Sequence, residues 1–76
     1  MNSVSYDRTS GTIDVHVSDP VDRSEYVILD ASDKILLQGC IFGKVRKTCL
    51  YIGELSIGNY FIQVNGVRMD FQVIGG

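Results

Sequence analysis

The sequence predicts an all-β protein, a small antiparallel β-sandwich of about six to seven strands, on three observations. Apolar residues alternate with polar ones along most segments, and nowhere recur at i, i+3, i+4 and i+7 over three turns. Val, Ile and Tyr are frequent, and β-branched and aromatic side chains suit a pleated sheet. Turn residues punctuate the chain about every ten residues, which leaves room for short strands between them. With 76 residues there is space for one domain, residues 1–76, and none for a second. A domain near 60 residues buries only about 60% of the surface its unfolded chain exposes, so disulfides, self-association and strand edges carry extra weight.

A short extra strand is available near Val4 and Tyr6. Thr12 to Ser18 then alternates, with Ile13, Val15 and Val17 on one face and Asp14 and His16 on the other, as a half-buried strand does. Asp19-Pro20-Val21-Asp22 breaks it, because proline cannot donate to a ladder and aspartate favours turns. Ser24 to Asp30 is more continuously apolar and so belongs in the middle of a sheet. Asp30-Ala31-Ser32-Asp33 is a turn, and Ile35 to Phe42 a third strand containing Gly39. The polar, basic stretch Gly43 to Lys47 leads into a short strand from Thr48 to Ile52, and Gly53 to Gly58 reads as an irregular crossover. Beyond it Tyr60, Ile62 and Val64 share one face, and Asn65-Gly66 is suited to a type I′ hairpin turn. The return strand sets Val67, Met69, Phe71 and Val73 against Arg68, Asp70 and Gln72. The expected core is Ile13, Val15, Val17, Ile28, Tyr60, Ile62, Val64, Phe71 and Val73, and the spacing matches an immunoglobulin-like sandwich.

Composition excludes several function classes. Seven Lys+Arg against nine Asp+Glu give a net charge of −2, which offers no long-range attraction for nucleic acid. The longest apolar runs, such as Tyr26 to Leu29 and Cys49 to Ile52, fall far short of the ~18–20 residues of a membrane span. The residues following Met1 show no basic segment leading into an apolar stretch, so the chain as given carries no signal peptide.

Candidate chemistry is sparse. His16 is the single histidine, on a polar strand face, and a cysteine nucleophile would need to be activated beside it. Two cysteines and one histidine lack the close paired spacing of a zinc site. Asp19, Asp22, Asp30 and Asp33 sit in turns without the loop pattern of a calcium site. No glycine-rich phosphate loop runs from a strand into a helix. We therefore expect no catalytic residue, no metal and no cofactor. Lys44, Arg46 and Lys47 form the one charge cluster, and Tyr51 or Phe61 is a candidate for an exposed aromatic patch.

Cys40 and Cys49 leave two geometries open. If Gly43 to Arg46 is the loop of an antiparallel hairpin, Cys40 faces Cys49 and modest local adjustment permits a disulfide. If the loop crosses between sheets, the thiols separate and stay buried as small hydrophobes.

The segment Leu55-Ser56-Ile57-Gly58-Asn59-Tyr60-Phe61-Ile62-Gln63-Val64 reads as Leu, two residues, Gly, one residue, Tyr, then alternating apolar residues. This pattern resembles the closing hairpin of the C-terminal sorting domains of the type IX secretion system. It is also similar to a related family of small secreted β-sandwich proteins of unknown function from Bacteroides-type gut bacteria. Tyr26 to Leu36 resembles their earlier hairpin, with Asp33 where the family usually has glycine. The resemblance implies a sandwich fold, an extracytoplasmic setting and no catalytic residues. The expected function is that of a non-catalytic module that binds a protein partner or itself through an exposed strand edge, the first and last strands being the candidate edges. The alternatives are a sorting or anchoring module of a larger exported protein, against which the absence of a lysine-flanked tail after Val73 weighs, and a cytosolic accessory domain or enzyme fragment.

Overall fold

A computed structural model describes residues 2–75. Seven strands follow one another: β1 (Ser3–Asp7), β2 (Thr12–His16), β3 (Arg23–Asp30), β4 (Ile35–Phe42), β5 (Lys47–Tyr51), β6 (Gly58–Val64) and β7 (Val67–Val73). They form two antiparallel sheets, β1-β2-β5 and β4-β3-β6-β7, and the described residues contain no helix. The all-β sandwich expected from the alternation is therefore what the chain forms. In constant-type immunoglobulin domains the fourth strand joins the sheet of the first, second and fifth; here it lies beside the third.

Three tight turns make the hairpins. After β1, the Asp7 side chain accepts the Thr9 N–H at 2.9 Å and the Asp7 carbonyl accepts the Gly11 N–H at 2.9 Å. After β3, Asp30 Oδ1 accepts from the N–H groups of Ser32 and Lys34 at 2.8 and 3.0 Å, an aspartate-built turn. Asp33 in that turn has φ +64°, the left-handed conformation that glycine adopts without strain and aspartate tolerates. After β6, Asn65 and Gly66 have φ +50° and +85°, and Val64 pairs with Val67, so the expected two-residue hairpin is present.

Asn65 does more than turn the chain. Its N–H donates to the Glu25 carbonyl, its Oδ1 accepts from the Glu25 N–H, both at 2.9 Å, and its Nδ2 donates to the buried Ser24 hydroxyl at 3.2 Å. The turn thereby extends the β3–β6 ladder by one pair. Ser24 is the one buried polar side chain among the described residues, and this bond removes the cost of leaving it unpaired.

All nine expected core residues are buried, joined by Leu29, Ile41 and Ile52. Ile13, Val15, Ile28, Ile62 and Val64 are the fully buried side chains, and they come from β2, β3 and β6, the interior strands of the two sheets. Tyr60 stacks on its cross-strand neighbour Phe71 with ring centroids 5.7 Å apart, and its hydroxyl donates to the Ser56 carbonyl at 2.5 Å. A tyrosine at the start of the sixth strand, bonded back to the chain four residues upstream, is the corner tie of immunoglobulin-like sandwiches. It accounts for Tyr60 in packing terms, since the ring closes that end of the core. Gly58 has no positive φ, and an added Cβ there would meet Tyr60 only at ordinary contact distance, so neither the turn nor close packing requires glycine at that position.

Two details depart from the sequence reading. Val67 starts β7 at the hairpin end and is exposed, outside the core stripe to which alternation assigned it. The second strand ends at His16, short of the expected Ser18: the Val17 N–H still bonds the Arg46 carbonyl in register with β5, but the Ser18 N–H leaves the ladder for the Asn2 side chain.

Replacing Ile62 with Ala should lower stability by about 2–5 kcal/mol, read as a reduced urea midpoint; an unchanged midpoint would remove Ile62 from the core. Asn65→Ala should cost about 1–3 kcal/mol, from lost bonds and from the left-handed backbone. Asn65→Gly should cost less, since it restores the backbone freedom while still losing the side-chain bonds. Equal costs for the two would assign the whole effect to the side chain.

Candidate functional site

The chain crosses between sheets at Gly43–Arg46 instead of folding back as a hairpin, and this decides which strands are left with a free side. β4 ends one sheet and β5 the other. Of the two geometries the sequence left open, the hairpin that would have set Cys40 against Cys49 for a disulfide is not formed: Cys40 lies opposite Glu25, Cys49 lies opposite Asp14, and both are free thiols. The physical cause is that β4 forms its ladder with β3 and β5 with β2, which places the two strands in different sheets. Cys40 is half-buried but Cys49 is exposed, so burial of both thiols as small hydrophobes does not hold either.

Each sheet has two edges, and the first and last strands are indeed edges, as the sequence suggested. They run alongside each other, which closes one seam of the sandwich. β4 and β5 make no comparable approach. Between them lies a cleft of about 410 Å³ lined by Leu36, Leu37, Tyr51, Ile52, Glu54 and Leu55. The open seam is the feature that sequence reasoning missed, because it follows from the crossover.

The backbone groups free on β4 follow from two hydrogen bonds and the register. The Gly43 N–H donates to the Asp22 carbonyl at 2.7 Å, and Arg23 pairs with Phe42, so Leu37, Gly39 and Ile41 turn their N–H and C=O groups towards β3. The Asn65 N–H to Glu25 carbonyl bond gives the matching alternation on β3, where Glu25, Val27 and Leu29 bond β6 and the residues between them bond β4. Gln38, Cys40 and Phe42 therefore aim their backbone groups away from the sheet.

Gln38 apart, the side chains along this edge are apolar, and three of them are accessible. Phe42 is 72% exposed, Ile35 54% and Leu37 39%, with a register shift that places Leu36 as an extra residue opposite Ile28 and Leu29. Gly39 has a specific packing reason: a Cβ there would stand 2.7 Å from the Tyr26 hydroxyl and 2.9 Å from its ring. The ring of Tyr26, from the neighbouring strand, lies across the glycine and covers the gap it leaves. Beside it, Arg23 donates to Cys40 Sγ at 3.5 Å and stands 3.4 Å from Glu25. The Cys40 hydrogen bond, then charge interaction with Cys40 and Glu25, raises Arg23 above its ordinary pKa, so it stays cationic throughout the working range.

The remaining candidates sit apart from this edge. His16 is exposed on the outer face of β2, opposite Ser3 and Lys47, and no hydrogen bond joins it to a cysteine among the described residues. Among those residues no three His, Cys, Asp or Glu side chains converge as metal ligands. Asp30 and Asp33 build a turn, and Asp33 also meets Arg68 at 3.0 Å. Arg68 lies over the Phe61 ring, 4.9 Å from its centroid, so Phe61 is half-covered; Tyr51 is the exposed member of the expected aromatic pair. Arg46 in the basic stretch is spent on the Ser18 carbonyl at 3.0 Å, leaving Lys44 and Lys47 at the surface. Among the described residues no helix is long and apolar enough to cross a membrane. Compared with known proteins, no family model and no curated protein matches the chain.

Gly39→Ala should destabilise the protein by about 1–3 kcal/mol through overpacking against Tyr26. In a Tyr26→Ala background the same substitution should cost much less, a non-additivity readable in a double-mutant cycle. Equal costs in both backgrounds would show that the ring is not the obstacle.

Proposed function

We propose that this protein is a non-catalytic interaction module that binds by accepting an extended polypeptide strand along the free edge of β4. The observation that carries this reading is the composition of that edge. Ile35 to Phe42 contains no charged residue and no proline, while the other edge strands carry Asp7 in β1, Lys47 in β5, and Arg68 and Asp70 in β7. Charges and proline are the usual means by which a sheet edge is kept from pairing with another chain. β4 is also eight residues long, against five in β1 and five in β5. A strand added to β4 would bond the backbone of Gln38, Cys40 and Phe42, and its side chains would meet Phe42 on one face and Leu37 on the other.

What supports an extracytoplasmic setting is the resemblance of the Leu55 to Val64 pattern to exported sandwich families. What supports the absence of chemistry is the scatter of the titratable groups: His16, Cys40 and Cys49 lie at separate register positions.

The test is a proline scan of the edges. Random extended peptides displayed for selection on the wild-type protein should yield binders that lose about tenfold or more in affinity against Gln38→Pro, where the outward N–H is removed. Asp70→Pro on β7 should leave them bound. Binders indifferent to Gln38→Pro and lost with Asp70→Pro would move the binding edge to the last strand.

A further inference from the structure

We propose that the strand accepted by β4 is β4 of a second copy of this chain, paired antiparallel about a two-fold axis at Cys40, so that two four-stranded sheets become one of eight. This rests on the edge reading above and adds the occupant and the register. The first argument is charge. An isologous contact sets the segment against itself, and any charge near the axis would meet its own sign. Ile35 to Phe42 has none, so among the edge strands β4 alone pairs with itself without placing a charge in the contact.

The second argument is the spacing of the free backbone groups. Gln38, Cys40 and Phe42 point outward, and the extra residue at Leu36 disrupts the strand on its N-terminal side, leaving 37–42 regular. Pairing centred on Cys40 opposes Gln38 to the second copy's Phe42, Cys40 to the second copy's Cys40, and Phe42 to the second copy's Gln38. Each such pair exchanges two bonds, about six in all. Pairing centred on Gly39 keeps only Gln38 against Cys40 and its mirror within the regular stretch, about four bonds. The Cys40 register has the larger ladder.

The third argument is side-chain size. Centred on Cys40, the register sets Ile41 against Gly39 and Leu37 against Gly43, large opposite small, and lays the exposed Phe42 ring against the Gln38 stem. Centred on Gly39 it sets glycine against glycine and leaves a gap at the axis. A hydrogen-bonded antiparallel pair holds its Cα atoms ~5.5 Å apart, within the ~4.4–6.8 Å range of a disulfide, so the two Cys40 thiols at the axis can be linked.

The experiment uses two single-cysteine proteins. Cys49→Ser keeps only Cys40, and Cys40→Ser keeps only Cys49. Each is equilibrated over a dilution series followed by sedimentation, then treated with diamide, which takes up two electrons and two protons as the S–S bond forms. The expected result is a reversible dimer, slowed amide exchange at Gln38, Cys40 and Phe42 in the dimer, and covalent dimer from Cys49→Ser in proportion to the associated fraction. Cys40→Ser should dimerise without cross-linking. Adding Gln38→Pro should weaken association by about tenfold or more while circular dichroism and the urea midpoint of the monomer stay in place. A dimer that cross-links only through Cys49, or not at all, overturns the register. A chain that remains monomeric into the millimolar range overturns self-pairing and leaves the edge reading to the peptide selection. Association that protects β1, β7 or the Gly43 to Lys47 stretch instead overturns both.

Discussion

The structure depends on the mutual burial of two sheet faces by a chain that has little material with which to do it. Ile13 and Val15 from one sheet meet Ile28, Ile62 and Val64 from the other, and these fully buried side chains lie on strands that have a neighbour on each side. Burying a side chain of this kind contributes about 1.5–3 kcal/mol, against a total stability of about 5–15 kcal/mol for a whole domain. Each interior strand is therefore indispensable, and whatever variability the fold permits is pushed to its four edges.

Those edges are treated unequally. At one seam β1 and β7 run together, and the ends of the sandwich there are tied by the Asn2 side chain to Ser18 and by the Tyr60 corner. At the other seam the Gly43–Arg46 crossover carries the chain from β4 to β5 without bringing those strands together as β1 and β7 are, and a cleft remains. The asymmetry is a consequence of connectivity: three hairpins keep their strands within a sheet, and the passages from β2 to β3, β4 to β5 and β5 to β6 change sheet. An uncharged strand left on the open side is what turns a packing arrangement into a candidate binding surface.

The outer faces show how side chains manage the surface that the core does not use. On the four-stranded sheet Arg68 reaches from β7 across Phe61 to Asp33, a path that holds an aromatic ring and the β3–β4 turn together although the ion pair itself is exposed and adds little. On the three-stranded sheet the outward residues are polar apart from Cys49 and Tyr51, as a half-solvated antiparallel sheet requires.

By itself the sequence determined the local structure. Alternation at Ile13, Val15 and Val17 and at Tyr60, Ile62 and Val64 identified strands and their inner faces, since period-two patterning is a property of neighbouring residues. Asn65-Gly66 and the Asp30 turn were legible because positive φ and side-chain-to-backbone bonds are short-range demands. Tertiary structure alone decided the destination of each strand. Nothing in Gly43 to Lys47 distinguishes a hairpin from a crossover, because the choice is made by which distant strand, β2 or β4, offers β5 the better ladder. The separation of Cys40 from Cys49, the closing of β1 against β7, the second role of Asn65 on Ser24 and Glu25, and the open edge of β4 all follow from that non-local choice. Backbone pairing is chemically the same for every strand, so its partners are selected by the packing of the whole sandwich and not by the residues of any one segment.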